Sequence, residues 1–216
     1  MNVLIMGAAG SGKGTLSKKI AEKYKIAHIS SGDMFRAAIQ SGSELGLTAK
    51  QYIDQGRLVP DELTVALIRE RITEPDCEKG FLLDGYPRTL PQAKDLLALC
   101  EELDKPLAVV LHLEIETAEL VSRITGRRIC ANCGAIYNIT HQPSKIEGRC
   151  DLCGGTLLQR SDDTEERLLV RMQEYEELTR PVIDWLKERV SVIEIDAGAS
   201  VGEVWQQVQD VLGGTV

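Results

Sequence analysis

Nine residues near the start of the chain, Gly7-Ala8-Ala9-Gly10-Ser11-Gly12-Lys13-Gly14-Thr15, have the composition of an anion cradle. They follow an apolar run at 3–6 and open a stretch in which Leu16, Ile20 and Tyr24 share one helical face. Glycine frees the backbone to curl until its N–H groups point inward, and a helix start adds partial positive charge. Lys13 supplies a mobile ammonium. Strand, glycine-rich turn, lysine and helix in this order predict a phosphate-binding loop, with Gly10, Ser11, Gly12, Lys13, Gly14 and Thr15 as its contacts. A turn of no catalytic meaning would need the glycines but not the lysine. The general pattern has Ser or Thr directly after the lysine. Gly14 intervenes here, which weakens the case for a direct hydroxyl–magnesium bond from Thr15.

A second constellation is Phe81-Leu82-Leu83-Asp84-Gly85-Tyr86-Pro87-Arg88, with Gln92 beyond it. An apolar strand ending in Asp puts a carboxylate at the carboxyl edge of a sheet, where α/β proteins bind ligands. Asp84 suits magnesium held through its water shell, since that ion dehydrates reluctantly. Gly85 allows close backbone approach, and Arg88 offers a planar fork to phosphate. Taken alone, the segment reads more readily as a strand, a turn and an exposed arginine. A third constellation is Cys130-x-x-Cys133 and Cys150-x-x-Cys153, separated by sixteen residues. This is the spacing of a four-cysteine zinc site, closed to substrate and therefore structural. The plain alternative is four unbound thiols. Four cysteines leave no place in the shell for His141. Cys77 and Cys100 read as ordinary semi-buried residues, and His28 and His112 as packing residues.

These groups require a scaffold, and the hydrophobic pattern outlines one. Apolar runs at 3–6, 81–83, 108–113 and 192–195 alternate with helical stretches at 15–24, 61–73, 91–101, 117–125 and 201–212. A long helical region starts near 163, and Pro181 is expected to kink or restart it. Such alternation predicts an α/β fold with a parallel sheet covered on both faces. Residues 30–59 are helical but polar, and 126–163 hold all four paired cysteines. Both read as insertions into a core of 1–29, 60–125 and 164–216. Only 4% of the 216 residues are aromatic, so the core must rest on Leu, Ile, Val and Ala. A net charge of −8 argues against a nucleic-acid partner. No run is long enough for a membrane span or signal peptide, and paired cysteines in that context point to a metal site in a reducing cytoplasm.

Together the phosphate loop, the segment from Asp84 to Gln92, and Gly126-Arg127-Arg128 resemble the bacterial adenylate kinases of the long-lid, zinc-binding type. The resemblance covers essentially the whole chain. It implies a phosphate-loop kinase fold: a five-stranded parallel sheet flanked by helices, an AMP-binding insertion at 30–59 and a zinc lid at 126–163. It implies reversible in-line transfer of a phosphoryl group from Mg-ATP to AMP, giving two ADP, with lid closure, in a cytoplasmic monomer. By resemblance, AMP contacts fall on Ser31, Arg36, Arg57, Leu58, Val59, Gly85, Tyr86, Pro87, Arg88, Gln92, Arg160 and Arg171. ATP contacts fall on the loop residues, Arg123, Arg127, Ile136, Tyr137 and Ala199. Lys13, Asp84, Arg88, Arg123, Arg160 and Arg171 are the implied catalytic groups. Ser31 stands where the family more usually has Thr, and Ala197 where it often has Gly. Physics supplies a reason for the arginines: two nucleotides bring four phosphates together, and the transition state spreads charge over the moving group.

Two other functions fit parts of the chain. One is a zinc-ribbon module binding nucleic acid or protein, with the phosphate loop as an ATPase engine. The charge of −8 opposes it, as does a lid with few basic residues and Tyr137 as its aromatic. The other keeps the chemistry and changes the acceptor to UMP, CMP or GMP. Gln92 favours adenine, because an amide can pair with its ring edge.

Overall fold

A strand with neighbours on both sides and helices on both faces must be apolar throughout, and Val3, Leu4, Ile5 and Met6 are all at most 3% exposed. In the computed structural model, which describes residues 1–214, they lie in β1 (Asn2–Gly7), followed by α1 (Lys13–Tyr24) and β2 (Ala27–Ser30). Thr215 and Val216, assigned above to the core, lie outside the described residues. Next come α2 (Ser31–Ser41), α3 (Glu44–Ile53), α4 (Asp61–Ile72), β3 (Phe81–Asp84), α5 (Leu90–Glu102), β4 (Leu107–Glu114) and α6 (Thr117–Thr125). Three short strands follow: β5 (Arg127–Cys130), β6 (Ile136–Asn138) and β7 (Leu157–Leu158). The chain returns through α7 (Glu165–Glu174), a π-helical turn at Tyr175–Thr179, α8 (Arg180–Lys187), β8 (Val192–Asp196) and α9 (Val201–Gly213).

The main sheet has the order β2-β3-β1-β4-β8, and every pairing in it is parallel. Alternation along β1 divides the core. Leu4 and Met6 pack with Ile29, Leu83 and Val110 beneath α4, α5 and α8. Val3 and Ile5 pack with Leu82, Leu111 and Ile195 beneath α1 and α9. Each such side chain contributes about 1.5–3 kcal/mol on burial, so this two-sided packing dominates stability. The register pairs Ser30 with Asp84, Ile5 with Asp84 and Gly7 with Leu113. Parallel strands end on the same side, so the phosphate loop, Ser31 and Asp84 meet at one carboxyl edge.

Four of the five strands match the four apolar runs. β2 escaped the pattern because Ala27-His28-Ile29-Ser30 buries only alternate residues; the resemblance alone implied a fifth strand. Pro181 lies in the first turn of α8, where its missing N–H costs nothing, and the helix restarts there as expected. Cys77 and Cys100 are fully buried in the core, not half-buried. α2 and α3 pack around Phe35, Ala49 and Val59 as a satellite cluster. β6, β5 and β7 form a separate antiparallel sheet.

Candidate active site

At the end of β1 an added Cβ on Gly7 would lie 2.6 Å from the Leu113 carbonyl oxygen, so only glycine lets the chain turn away here. The loop then enters α1 through Gly12, at φ 93°. α2, α3, α5, α7 and α9 each start on a Ser or Thr whose hydroxyl accepts a backbone N–H. α1 has no side-chain cap and no acidic residue in its first turn. Its free N–H groups and partial positive charge are therefore open to an external anion. Ser11 is buried, with a hydroxyl that has no partner among the described residues. Lys13 Nζ donates to the carbonyls of Gly7 at 2.6 Å and Ala8 at 2.8 Å. Burial pulls the Lys13 pKa down to about 7; Asp84 opposes this, while Arg88, Arg171 and Arg127 add to it.

The arginines converge from distant elements. Arg88 Nε donates to the Gly85 carbonyl at 2.8 Å, and its guanidinium has no carboxylate partner among the described residues. Arg127 forks onto the buried carboxylate of Asp163. Arg171 donates to Asp162 at 2.9 Å, and Arg36 to Asp33 at 2.6 Å. Arg123 holds Glu119 at 2.9 Å and the Ala197 carbonyl at 3.1 Å. Burial, reinforced by the crowding of like charges, lowers Arg88 and brings Arg160 and Arg171 down to about 10. A cluster of this sign gains most from an anionic ligand.

These groups line a cavity of about 670 Å³, with the phosphate loop, Asp84, Ile136 and Ala199 on its walls. A smaller one of about 80 Å³ adjoins it, lined by Ser31, Arg36, Arg57, Leu58, Val59 and Gln92 among others. Residues 126–163 lie across the larger cavity. An added Cβ on Gly14 would meet Ile136 Cδ1 at 3.4 Å and Asp84 Oδ2 at 3.7 Å. Arg160 reaches Asp33 at 3.3 Å, and the Ser161 hydroxyl meets Asp54 at 3.3 Å. Segment 126–163 thus touches segment 30–59 beside the phosphate loop.

Every residue assigned above to a nucleotide or to catalysis lines one cavity or the other, but not always by its side chain. Tyr86 is 2% exposed, and its hydroxyl donates to the Gln92 carbonyl at 3.1 Å, so it supports the pocket from the core. The Tyr137 hydroxyl faces away from the cleft, 3.5 Å from Cys150 Sγ, and accepts the Asp151 N–H at 2.8 Å. His28, read as packing, stands 3.7 Å from Asp84 with Nε2 otherwise unpartnered. The pattern missed Asp61, which binds Gln92, and Glu174, which accepts the Leu58 N–H at 2.8 Å. Both are acids in ordinary helical sequence, and nothing local distinguishes them.

The cysteines form two matching knuckles. The N–H of Gly134 donates to the Cys130 carbonyl at 3.0 Å, and that of Gly154 to the Cys150 carbonyl at 2.9 Å. All four Sγ atoms lie within 4.8 Å of one another, with Cys130 to Cys153 at 3.4 Å and Cys133 to Cys150 at 3.6 Å. Zinc–sulfur bonds of about 2.3 Å in a tetrahedron place the sulfurs roughly 3.8 Å apart, so the set fits that ion. No disulfide joins them. The Tyr137 hydrogen bond pulls the Cys150 pKa down to about 6, in favour of a thiolate.

The adenylate kinase family model matches residues 5–191. The adenylate kinase of Carboxydothermus hydrogenoformans is 48% identical over 212 residues, covering 98% of this chain and 99% of that protein. That of Methanosarcina barkeri is 46% identical over 212 residues, with 98% of each chain covered. That of a Geobacillus strain is 45% identical over 214 residues, with 99% of each covered. The likeness runs along almost the whole length of this chain and of each of these proteins, and the chain belongs to the adenylate kinase family.

Proposed function

We propose that the chain transfers the γ-phosphoryl group of ATP to AMP, giving two ADP, and runs the reverse reaction through the same site. The observation that carries this is the cationic cleft: Lys13 and six arginines line one enclosed cavity with a smaller pocket beside it. That charge matches four phosphates from two nucleotides. An AMP phosphate oxygen attacks the γ-phosphorus in line, the bond to the ADP oxygen breaks, and ADP leaves. No side-chain nucleophile is needed, because the protein's work is positioning and stabilising charge.

In this reading the residues at Gly10 to Thr15, with Arg123, Arg127, the Ile136 side chain, the Tyr137 backbone and the Ala199 region, hold ATP. Ser31, Arg36, the Arg57-Leu58-Val59 backbone, Gly85, Arg88 and Gln92 hold AMP. Lys13, Arg88, Arg160 and Arg171 neutralise the moving phosphoryl group from several sides. Asp84, at the β3 edge near Gly14, would hold magnesium through water, and the ion would supply positive charge to the transferring phosphates. Ile136 and the rest of 126–163 keep out water, the rival acceptor. Cys130, Cys133, Cys150 and Cys153 would hold one structural zinc. Segments 30–59 and 126–163 move as an acceptor clamp and a lid on the remaining core. Reduced cysteine pairs and nucleotide substrates favour the cytoplasm, and a site complete within one chain favours a monomer. No helix among the described residues is long and apolar enough to cross a membrane.

The test is a panel of AMP, UMP, CMP and GMP assayed with ATP. Preference for AMP is expected; preference for a pyrimidine would overturn the assignment. The relatives named above disfavour a UMP/CMP kinase.

A further inference from the structure

Gln92 is 2% exposed and reaches the smaller cavity from the first turn of α5. Its amide is held at both ends. Oε1 accepts the Arg88 N–H at 2.8 Å, and Nε2 donates to Asp61 Oδ1 at 2.6 Å. The second carboxylate oxygen of Asp61 accepts the Thr89 hydroxyl at 2.7 Å. That hydroxyl in turn accepts the Gln92 N–H at 3.3 Å. Asp61 is thus tied down by one neighbour while it holds the other. Half a turn of the amide would set oxygen against carboxylate and NH2 against N–H. Two hydrogen bonds would become two repulsions at a buried site, where unpaired polar groups are costly.

A primary amide has two donors and two acceptor sites. With one of each engaged by Asp61 and Arg88, one N–H and one oxygen lone pair remain for a ligand in the smaller cavity. Adenine offers the N6–H donor beside the N1 acceptor. Hypoxanthine and guanine offer the reverse, an O6 acceptor beside an N1–H donor. One amide therefore complements a 6-amino purine in one orientation and a 6-oxo purine in the other. The Arg88 N–H can only donate and the Asp61 carboxylate can only accept, so together they fix which way the amide points.

We propose that Asp61 is a specificity-determining positioning residue: by locking the Gln92 amide, it favours 6-amino over 6-oxo purine monophosphates as acceptors. Asp61 acts through Gln92 and does not itself meet the base. The inference rests on the reading of Gln92 as a base contact.

The test compares kcat/KM for AMP and IMP, which differ at C6 and N1 while sharing ribose and phosphate. Asp61→Asn keeps the shape but presents an amide that can serve either orientation of Gln92. The AMP-to-IMP ratio should fall by roughly three- to tenfold, because the Arg88 N–H still favours the native orientation once the carboxylate is gone. KM for ATP should not move. Glu62→Gln, the neighbouring first-turn acid of α4, should leave ratio and turnover unchanged. If Asp61→Asn slows AMP and IMP equally, the role is structural and the proposal is overturned. Gln92→Ala separates the two levels. A ratio that collapses in Gln92→Ala but stands in Asp61→Asn overturns the lock and leaves the base contact intact. A ratio that survives Gln92→Ala removes the base contact and the lock with it. Should Asp61→Asn fail to fold, Asp61→Ser, whose hydroxyl also serves both orientations, gives the same readout.

Discussion

The cysteine quartet gathers its sulfurs within 4.8 Å of one another and the arginine cluster surrounds one cavity, and they are assembled in opposite ways. The quartet spans only 130–153 and is shaped by two short turns with their own backbone hydrogen bonds. The arginines come from α2, the turn after β3, α6, β5, the end of the second insertion and α7, a span of 36–171. In the proposed reading one ion would complete the quartet, since four thiolates fill a tetrahedral shell. The arginine cluster is held by Asp33, Asp162, Asp163 and Glu119, yet six arginines face these four acids and the Arg88 guanidinium has no carboxylate partner among the described residues. In the proposed reading, ligand binding at the first site would stabilise the fold and at the second would serve the chemistry.

That contrast predicts that damage to the two sites separates turnover from stability. The largest effect is expected at Lys13. Lys13→Met should lower kcat ~100-fold or more, the scale of one lost transition-state charge contact, with little change in melting. A folded variant with near-normal turnover would break the distinction from the catalytic side. In the lid, chelation or Cys153→Ser should lower melting by roughly 10 °C, if several kcal/mol of metal free energy are lost at 2–4 °C each. Turnover at low temperature should change by less than about fivefold, since a four-thiolate ion has no open position. Metal analysis, melting and activity on one sample decide this. Zinc-specific loss of all activity in protein that stays folded would break the distinction from the other side.

Protonation sharpens it further. With its pKa at about 7, Lys13 is largely neutral in the free protein at pH 8.5. Phosphates favour the charged form, so ATP binding should take up to one proton at that pH and almost none below pH 6. Calorimetry in buffers of different ionisation heat reads the uptake directly. The same shift affects folding. Between pH 7 and 10.5 the unfolded chain binds more protons at this lysine, so its contribution to stability rises with pH across that window. The smallest effect is expected at Gly134→Ala. Gly134 sits at φ 66° in its knuckle, so a Cβ should cost ~1–2 kcal/mol. The melting loss should be a few degrees, with AMP kinetics unmoved.

Legibility followed the same division. The knuckles, the phosphate loop and four of the strands are local patterns of spacing, and the structure holds each where the pattern put it. The AMP-side residues were named by resemblance, and they are divided between the two adjoining cavities. Tyr86 and Tyr137 show the limit of reading a position as a contact: both lie in the expected segments, but one side chain points into the core and the other at Cys150. His28 and Asp61 show the reverse. Neither carries a local signal, and both touch a candidate site residue because strand or helix register delivers them there.

The sequence by itself determined the α/β alternation, the phosphate cradle and the cysteine set, because each depends on neighbours a few residues apart: a period, a glycine pattern, a pair of turns. Only the tertiary structure decided which acids tether the arginines, which side chains face the cleft and how the Gln92 amide is turned. Those outcomes depend on contacts between residues up to 127 positions apart, as in Arg160 with Asp33. A carboxylate in a helix looks the same in sequence whether it faces water or a buried amide, and packing alone makes the difference.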